Sequence, residues 1–194
     1  MRKNWWKFLG IALLIYTVVI GMSTPLKPGI ERADTISIGQ DGNDSLRVSY
    51  GERHTFLVRG YNSNYTIGDN RAWLKLDSLH LIEGENFKVI NDREAKIDFT
   101  FPLTFPKGDP YQSMTLILYN EEDGPSILPG AIAVRTDPNS RYTREGWMSD
   151  PLTTLDDKAG MQFPYRSVLH ETIRNTFFHI PLWFSMFIIL VTSL

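Results

Sequence analysis

Apolar residues gather at the two ends of the chain, and the stretch between them alternates in short segments. The first run covers residues 8–22, FLGIALLIYTVVIGM, and follows Trp5 and Trp6. From Trp5 to Met22, a helix rising about 1.5 Å per residue reaches roughly 27 Å, against a hydrocarbon core of about 30 Å. This predicts an N-terminal transmembrane helix over residues 1–22. Arg2, Lys3 and Lys7 stand at its start and no acid precedes Glu31, so the N-terminus is expected in the cytoplasm and residues 23–166 outside. A cleaved signal peptide shares the basic start, but IGMSTPLKPG is a poor small-x-small cleavage site, which favours a retained anchor. The second run covers residues 177–194, FFHIPLWFSMFIILVTSL, and predicts a second transmembrane helix over 167–194. It stops inside its apolar stretch without flanking charge, as a truncated span would.

The middle reads as strands. Ile97, Phe99 and Phe101 alternate with Lys96, Asp98 and Thr100, a period of two with one wet face. Residues 54–59 and 114–119 read similarly, and 72–82, AWLKLDSLHLI, reads as one long strand, with a helix as the alternative. Turn residues recur at 39–44, 60–64, 68–70, 83–86, 91–92 and 106–110. Short strands at this spacing suggest a β-sandwich over residues 23–135, followed by a tether over 136–166 whose Trp147 and Phe163 either pin it to the sandwich or lie at the membrane interface. The segment 36–65, with its Gly60-Tyr61-Asn62 turn, resembles the opening of an immunoglobulin-like IPT/TIG module. The expected fold class is a mixed membrane protein, two transmembrane helices flanking an all-β immunoglobulin-like sandwich.

Charge and composition narrow the function. The chain of 194 residues has a net charge of −2, which gives no basic stripe for nucleic acid. Residues 23–165 hold 15 basic against 21 acidic residues, a net −6, which repels anionic surfaces. Absence of cysteine removes disulfides, thiolate metal sites and covalent haem attachment through Cys-x-x-Cys-His.

Catalytic motifs are missing. There is no Gly-x-Ser-x-Gly elbow, phosphate-binding glycine loop or His-Glu-x-x-His; His170-Glu171 begins the last, but position 174 is Arg. Glu121-Glu122-Asp123 and Asp156-Asp157 read as solvated acidic turns, and residues 41–44 have calcium-loop composition without its spacing. His54 and His80 read as structural histidines in strands. Asn43 and Asn64 begin glycosylation sequons. No nucleophile or acid–base constellation assembles, so no enzyme is expected.

His179 stands apart because an ionisable group within an apolar span by default marks a functional site or a buried pair. Neutral imidazole ligates haem iron, Pro181 frees the carbonyl of Phe177 beside it, and Arg174 is placed to meet a haem propionate. His170 lies nine residues earlier, half a turn out of phase, and cannot share a helix face with His179. A histidine hydrogen-bonded in an ordinary anchor fits the same residues, and at this level both readings stand.

Residues 171–186, ETIRNTFFHIPLWFSM, resemble the start of the second span in the cytochrome c assembly family, the haem-handling proteins of the CcmC/CcsA type. Their segment runs roughly Arg-x-x-aromatic-x-His-(Val/Ile)-Pro-x-x-Trp, and Arg174, Phe177 or Phe178, His179, Ile180, Pro181 and Trp183 fill it, the tryptophan one residue nearer the proline than in that pattern. The N-terminal KNWWKFLGIALLIY resembles the first span of Bacteroidetes-type members, some of which carry an extra β-domain before the second span. The resemblance implies haem as cofactor, His179 as axial ligand through its iron, Trp183 as a pocket wall, and haem presentation at the outer face of the bacterial inner membrane. Implied partners are haem, the lipid bilayer, and other cytochrome c maturation proteins or apocytochrome c. The family's Trp-rich loop and second histidine have no counterpart before Leu194. The alternative function is a membrane-anchored extracytoplasmic β-sandwich that binds a protein or glycan partner.

Overall fold

The computed structural model describes residues 5–36, 47–48, 51–106, 110–136, 141–149, 152, 155, 162–166, 168–169 and 172–192. The chain divides into two compact units, Met1–Lys27 with Gly160–Leu194, and Pro28–Ala159.

The first unit holds α1 (Trp5–Ser23) and α2 (Ile173–Thr192). Both apolar runs are helical, yet among the described residues no helix is long and apolar enough to cross a membrane. This corrects the two transmembrane helices, and the inner-membrane placement with residues 23–166 on the periplasmic side falls with them. The reason lies in where polar residues interrupt each helix. Lys7 sits in the first turn of α1, leaving an apolar stretch over 8–22 of roughly 22 Å at about 1.5 Å per residue. Arg174, Asn175 and Thr176 occupy the first turn of α2, leaving roughly 24 Å against a hydrocarbon core of about 30 Å.

The second unit is a two-sheet β-sandwich, and the chain as a whole is mostly β. Its strands are β1 (Gly29–Thr35), β2 (Arg47–Val48), β3 (Arg53–Tyr61), β4 (Asn70–Asp77), β5 (His80–Glu83), β6 (Glu85–Asn91), β7 (Glu94–Thr100), β8 (Tyr111–Asn120) and β9 (Gly124–Arg135). One sheet is antiparallel in the order β1-β3-β7-β6. The other runs β2-β9-β8-β4-β5, with only β2 and β9 parallel. Phe56, Val58, Ile97 and Phe99 from the first sheet meet Leu74, Met114, Leu116 and Ile132 from the second in one buried core. Fully burying each such side chain stabilises the fold by about 1.5–3 kcal/mol before conformational entropy is subtracted. On the outer side of the second sheet, Trp73, Leu81 and Ile117 form a smaller cluster, against which Leu152 and Leu155 pack.

Alternation explains the ladders. β7 buries Ala95, Ile97 and Phe99 and turns Lys96, Asp98 and Thr100 outward, where Asp98 accepts from Arg53 at 2.7 Å and from Thr55 at 2.6 Å. The single strand expected over 72–82 is instead the hairpin β4–β5. The Asp77 carboxylate accepts the Leu79 N–H at 2.8 Å, closing an Asx turn that reverses the chain. The chain then changes sheets at Gly84, where a Cβ would stand 2.8 Å from Ile97 Cγ2 and 3.1 Å from Ala72 Cβ.

Candidate functional site

α2 presents two faces. Phe177 and Phe178 meet edge to face at 5.5 Å, and Phe177 meets Phe163 at 5.0 Å. Phe178 packs onto Gly21 of α1, where a Cβ would come within 2.3 Å of its ring. Arg174 lies 5.4 Å over the Phe163 ring. Its Nη1 donates to the carbonyls of Gly21 at 3.0 Å, Met22 at 3.3 Å, and Thr24. The last carbonyls of a helix lack intrahelical donors, so a guanidinium there satisfies them and complements the helix dipole.

The other face carries His179. Residues four apart stack on one side of a helix, so His179, Trp183 and Phe187 form one row, with Ile180 and Phe184 beside it. Together these five line an open depression of about 490 Å³. Trp183, Phe184 and Phe187 are each more than 60% exposed. The His179 imidazole is exposed too, and among the described residues no hydrogen bond or ion pair engages it. The helix continues through Pro181, and the Ser185 hydroxyl donates to the Pro181 carbonyl at 2.8 Å.

Chemically, this is one nitrogen donor on an apolar, largely aromatic wall. An unengaged imidazole can give a lone pair to a metal, and aromatic rings cover a flat π-system well. Of the residues expected at a haem site, His179 and Trp183 share this depression. Arg174 lies apart from it, at the end of α1. Ile180, Phe184 and Phe187 complete the wall; Phe187 lies four residues from Trp183 and eight from His179, and Phe184 lies four from Ile180, so helical spacing is the signal that reveals them.

The remaining candidates have local tasks. His54 stands edge-on to Phe101 at 5.8 Å, with Nε2 3.6 Å from Glu52. His80 has Nδ1 2.7 and 2.8 Å from the two Asp77 carboxylate oxygens and Nε2 2.7 Å from Tyr142 Oη, and it stacks edge-on to Trp147 at 5.1 Å. Burial pushes the Asp77 carboxyl up, but the Leu79 N–H and the His80 ring together outweigh it and hold the group below the usual carboxylate value. Asp123 of the acidic turn accepts both the main-chain N–H and the side-chain amide of Asn64, at 2.7 and 2.8 Å, so that sequon's amide is engaged within the fold. Residues 41–44 with Asn43, Asp156-Asp157, and His170-Glu171 lie outside the described residues. Trp147 is 7% exposed in the sandwich core, and Phe163 pairs with Leu26 in the helical unit. Comparison with protein-family models and with curated protein sequences finds no match.

Proposed function

We propose that the chain handles haem for cytochrome c assembly, with His179 as an axial ligand and the Ile180, Trp183, Phe184 and Phe187 wall as the platform for one porphyrin face. The observation that carries this reading is an unengaged, exposed imidazole in helical register with an aromatic surface. The likeness of residues 171–186 to the haem-handling family supports it further.

The donor set fits a single-sided site. Bound haem would supply an iron that accepts a nitrogen donor and a flat apolar ring that the wall can cover. His179 would hold and orient the ring through one nitrogen, and Trp183 and Phe187 would exclude water from the face they cover. The role is carriage and presentation, without turnover.

The test is a haem titration of the chain and of His179→Ala and Trp183→Ala, following the Soret band. A shifted band that vanishes in His179→Ala and weakens in Trp183→Ala supports the reading. Equal titration of all three proteins rejects it, and free imidazole restoring the band in His179→Ala would identify the lost group as the ligand.

A further inference from the structure

We propose that the free edge of β5 takes an extended basic segment of a partner protein as an added strand. The inference rests on the sandwich and is independent of His179. Leu81 exchanges main-chain hydrogen bonds with Met148, at 3.2 Å from its N–H and 2.9 Å to its carbonyl. Leu81 therefore points its main-chain groups away from β4. In an antiparallel ladder, residues two apart along a strand point the same way, so Glu83 also directs its N–H and C=O outward. Gly84 confirms the alternation, because its N–H donates inward to Ala72 O at 2.8 Å. Among the described residues, nothing pairs with the outward main-chain groups or the carboxylate of Glu83.

The register that sets Leu81 against Met148 would set Glu83 against Gly146. Gly146 instead lies in the left-handed region, with φ +82, in a turn where the Trp147 N–H donates to Arg144 O at 3.2 Å. The chain leaves the edge there, and a cleft of about 360 Å³ opens, lined by Ile82, Glu83, Gly84, Glu85, Gly146 and Met148 among others. Its wall is held in place. Trp147 Nε1 donates to Thr104 O at 3.0 Å, the Thr143 N–H donates to Thr104 Oγ1 at 2.9 Å, and Tyr142 meets His80. A preset wall spares a guest the cost of ordering it.

Charge selects the occupant. A guest residue directly opposite Glu83 lies beside its exposed carboxylate, where Lys or Arg is favoured. Glu85 adds a second carboxylate at the cleft, shared with Arg53 at 3.7 Å. The guest's flanking residues turn to the other face, the one that Ile82 shares, and are best apolar. The edge thus fits an apolar–basic–apolar strand, joined by main-chain hydrogen bonds as in β-strand addition.

The experiment is fluorescence anisotropy of a labelled heptapeptide alternating valine and lysine, titrated with the full chain. The parent should bind, Glu83→Gln should weaken binding about threefold, and Glu83→Lys about tenfold. The same peptide N-methylated at its lysine amides should not bind, because it cannot donate to the edge. Superposable far-UV circular dichroism of the variants shows that they fold. Equal binding by Glu83→Lys, equal binding of the methylated peptide, or no binding near about 1 mM overturns the proposal. A peptide-displaceable dimer in sedimentation also overturns it, by assigning the edge to a second copy.

Discussion

Removing the Arg174 guanidinium separates its two conceivable tasks, closing α1 and meeting a ligand. One Nη1 carries two N–H bonds, so the carbonyls of Gly21, Met22 and Thr24 share two donors. A hydrogen bond from a charged donor contributes about 1.5–3 kcal/mol, and a cation at a helix C-terminus adds about 0.3–1 kcal/mol. Water replaces part of this once the side chain is gone, because the residue is only half-buried. Arg174→Ala is therefore expected to cost the local fold about 2–3 kcal/mol, a rise in opening of about 30- to 150-fold. Native-state hydrogen exchange reads this at the amides of Thr24, Lys27 and Phe163, which bond to Ile20, Phe163 and Pro25 at 2.8–2.9 Å. Exchange should accelerate there while the β3 and β7 amides keep parent rates. Arg174→Lys should fall between, since an ammonium keeps the charge but loses the fork. Parent-like exchange in Arg174→Ala would refute the capping argument. Combined with weaker haem binding, it would move the guanidinium to the ligand.

Gly84→Ala places a methyl 2.8 Å from Ile97 Cγ2 and 3.2 Å from Ala72 O; overpacking of this kind costs about 1–3 kcal/mol, read as a lower urea midpoint with unchanged slope. Phe99→Ala empties a site that is 0% exposed and should cost about 3–5 kcal/mol by the same titration. The Asp98 carboxyl is held below its ordinary value by the Thr55 hydroxyl first, then by Arg53 and Asn86, against desolvation. Its folded pKa is the lower one, so its contribution is complete above the ordinary carboxylate pKa of about 3.9 and fades as pH falls through the folded value. The stability gap between the parent and Asp98→Asn, measured by urea midpoints, should accordingly shrink below about pH 4.

Strands were legible where one face is dry and the other wet. β7 shows its period of two because Ile97 and Phe99 face the core while Lys96 and Asp98 face outward, where Asp98 pairs with Arg53. β6 hides it, since as an edge strand it leaves most positions exposed and carries register shifts near Lys88 and Val89. β9 contains Pro125, Pro129 and Gly130, which read as breaks although the strand runs through them. The turn at Asp77 is invisible to hydropathy, because it depends on a carboxylate meeting the Leu79 N–H. The terminal runs announce helices, but hydropathy averages over Lys7 and over Arg174 to Thr176, whose positions set the length of each apolar stretch. His179 and Trp183 declare themselves by motif and spacing. His80 and Tyr142 do not, for they are 62 residues apart and meet only once the strap carrying Trp147 has docked.

Parallel pairing of β2 with β9 makes assembly of the sandwich wait for its last strand. Arg47 and Val48 meet Ala133 and Val134 across about 85 residues, a closure whose entropic cost must be met before the contact contributes. β8 and β9, by contrast, face each other across the short turn after Asn120, and we expect this hairpin to form early. During synthesis, β3 and β4 emerge well before β7 and β8, their main ladder partners. Phe56, Val58 and Leu74 then stay uncovered while the ribosome adds those strands, which makes the half-made chain, more than the finished one, the form that depends on chaperones.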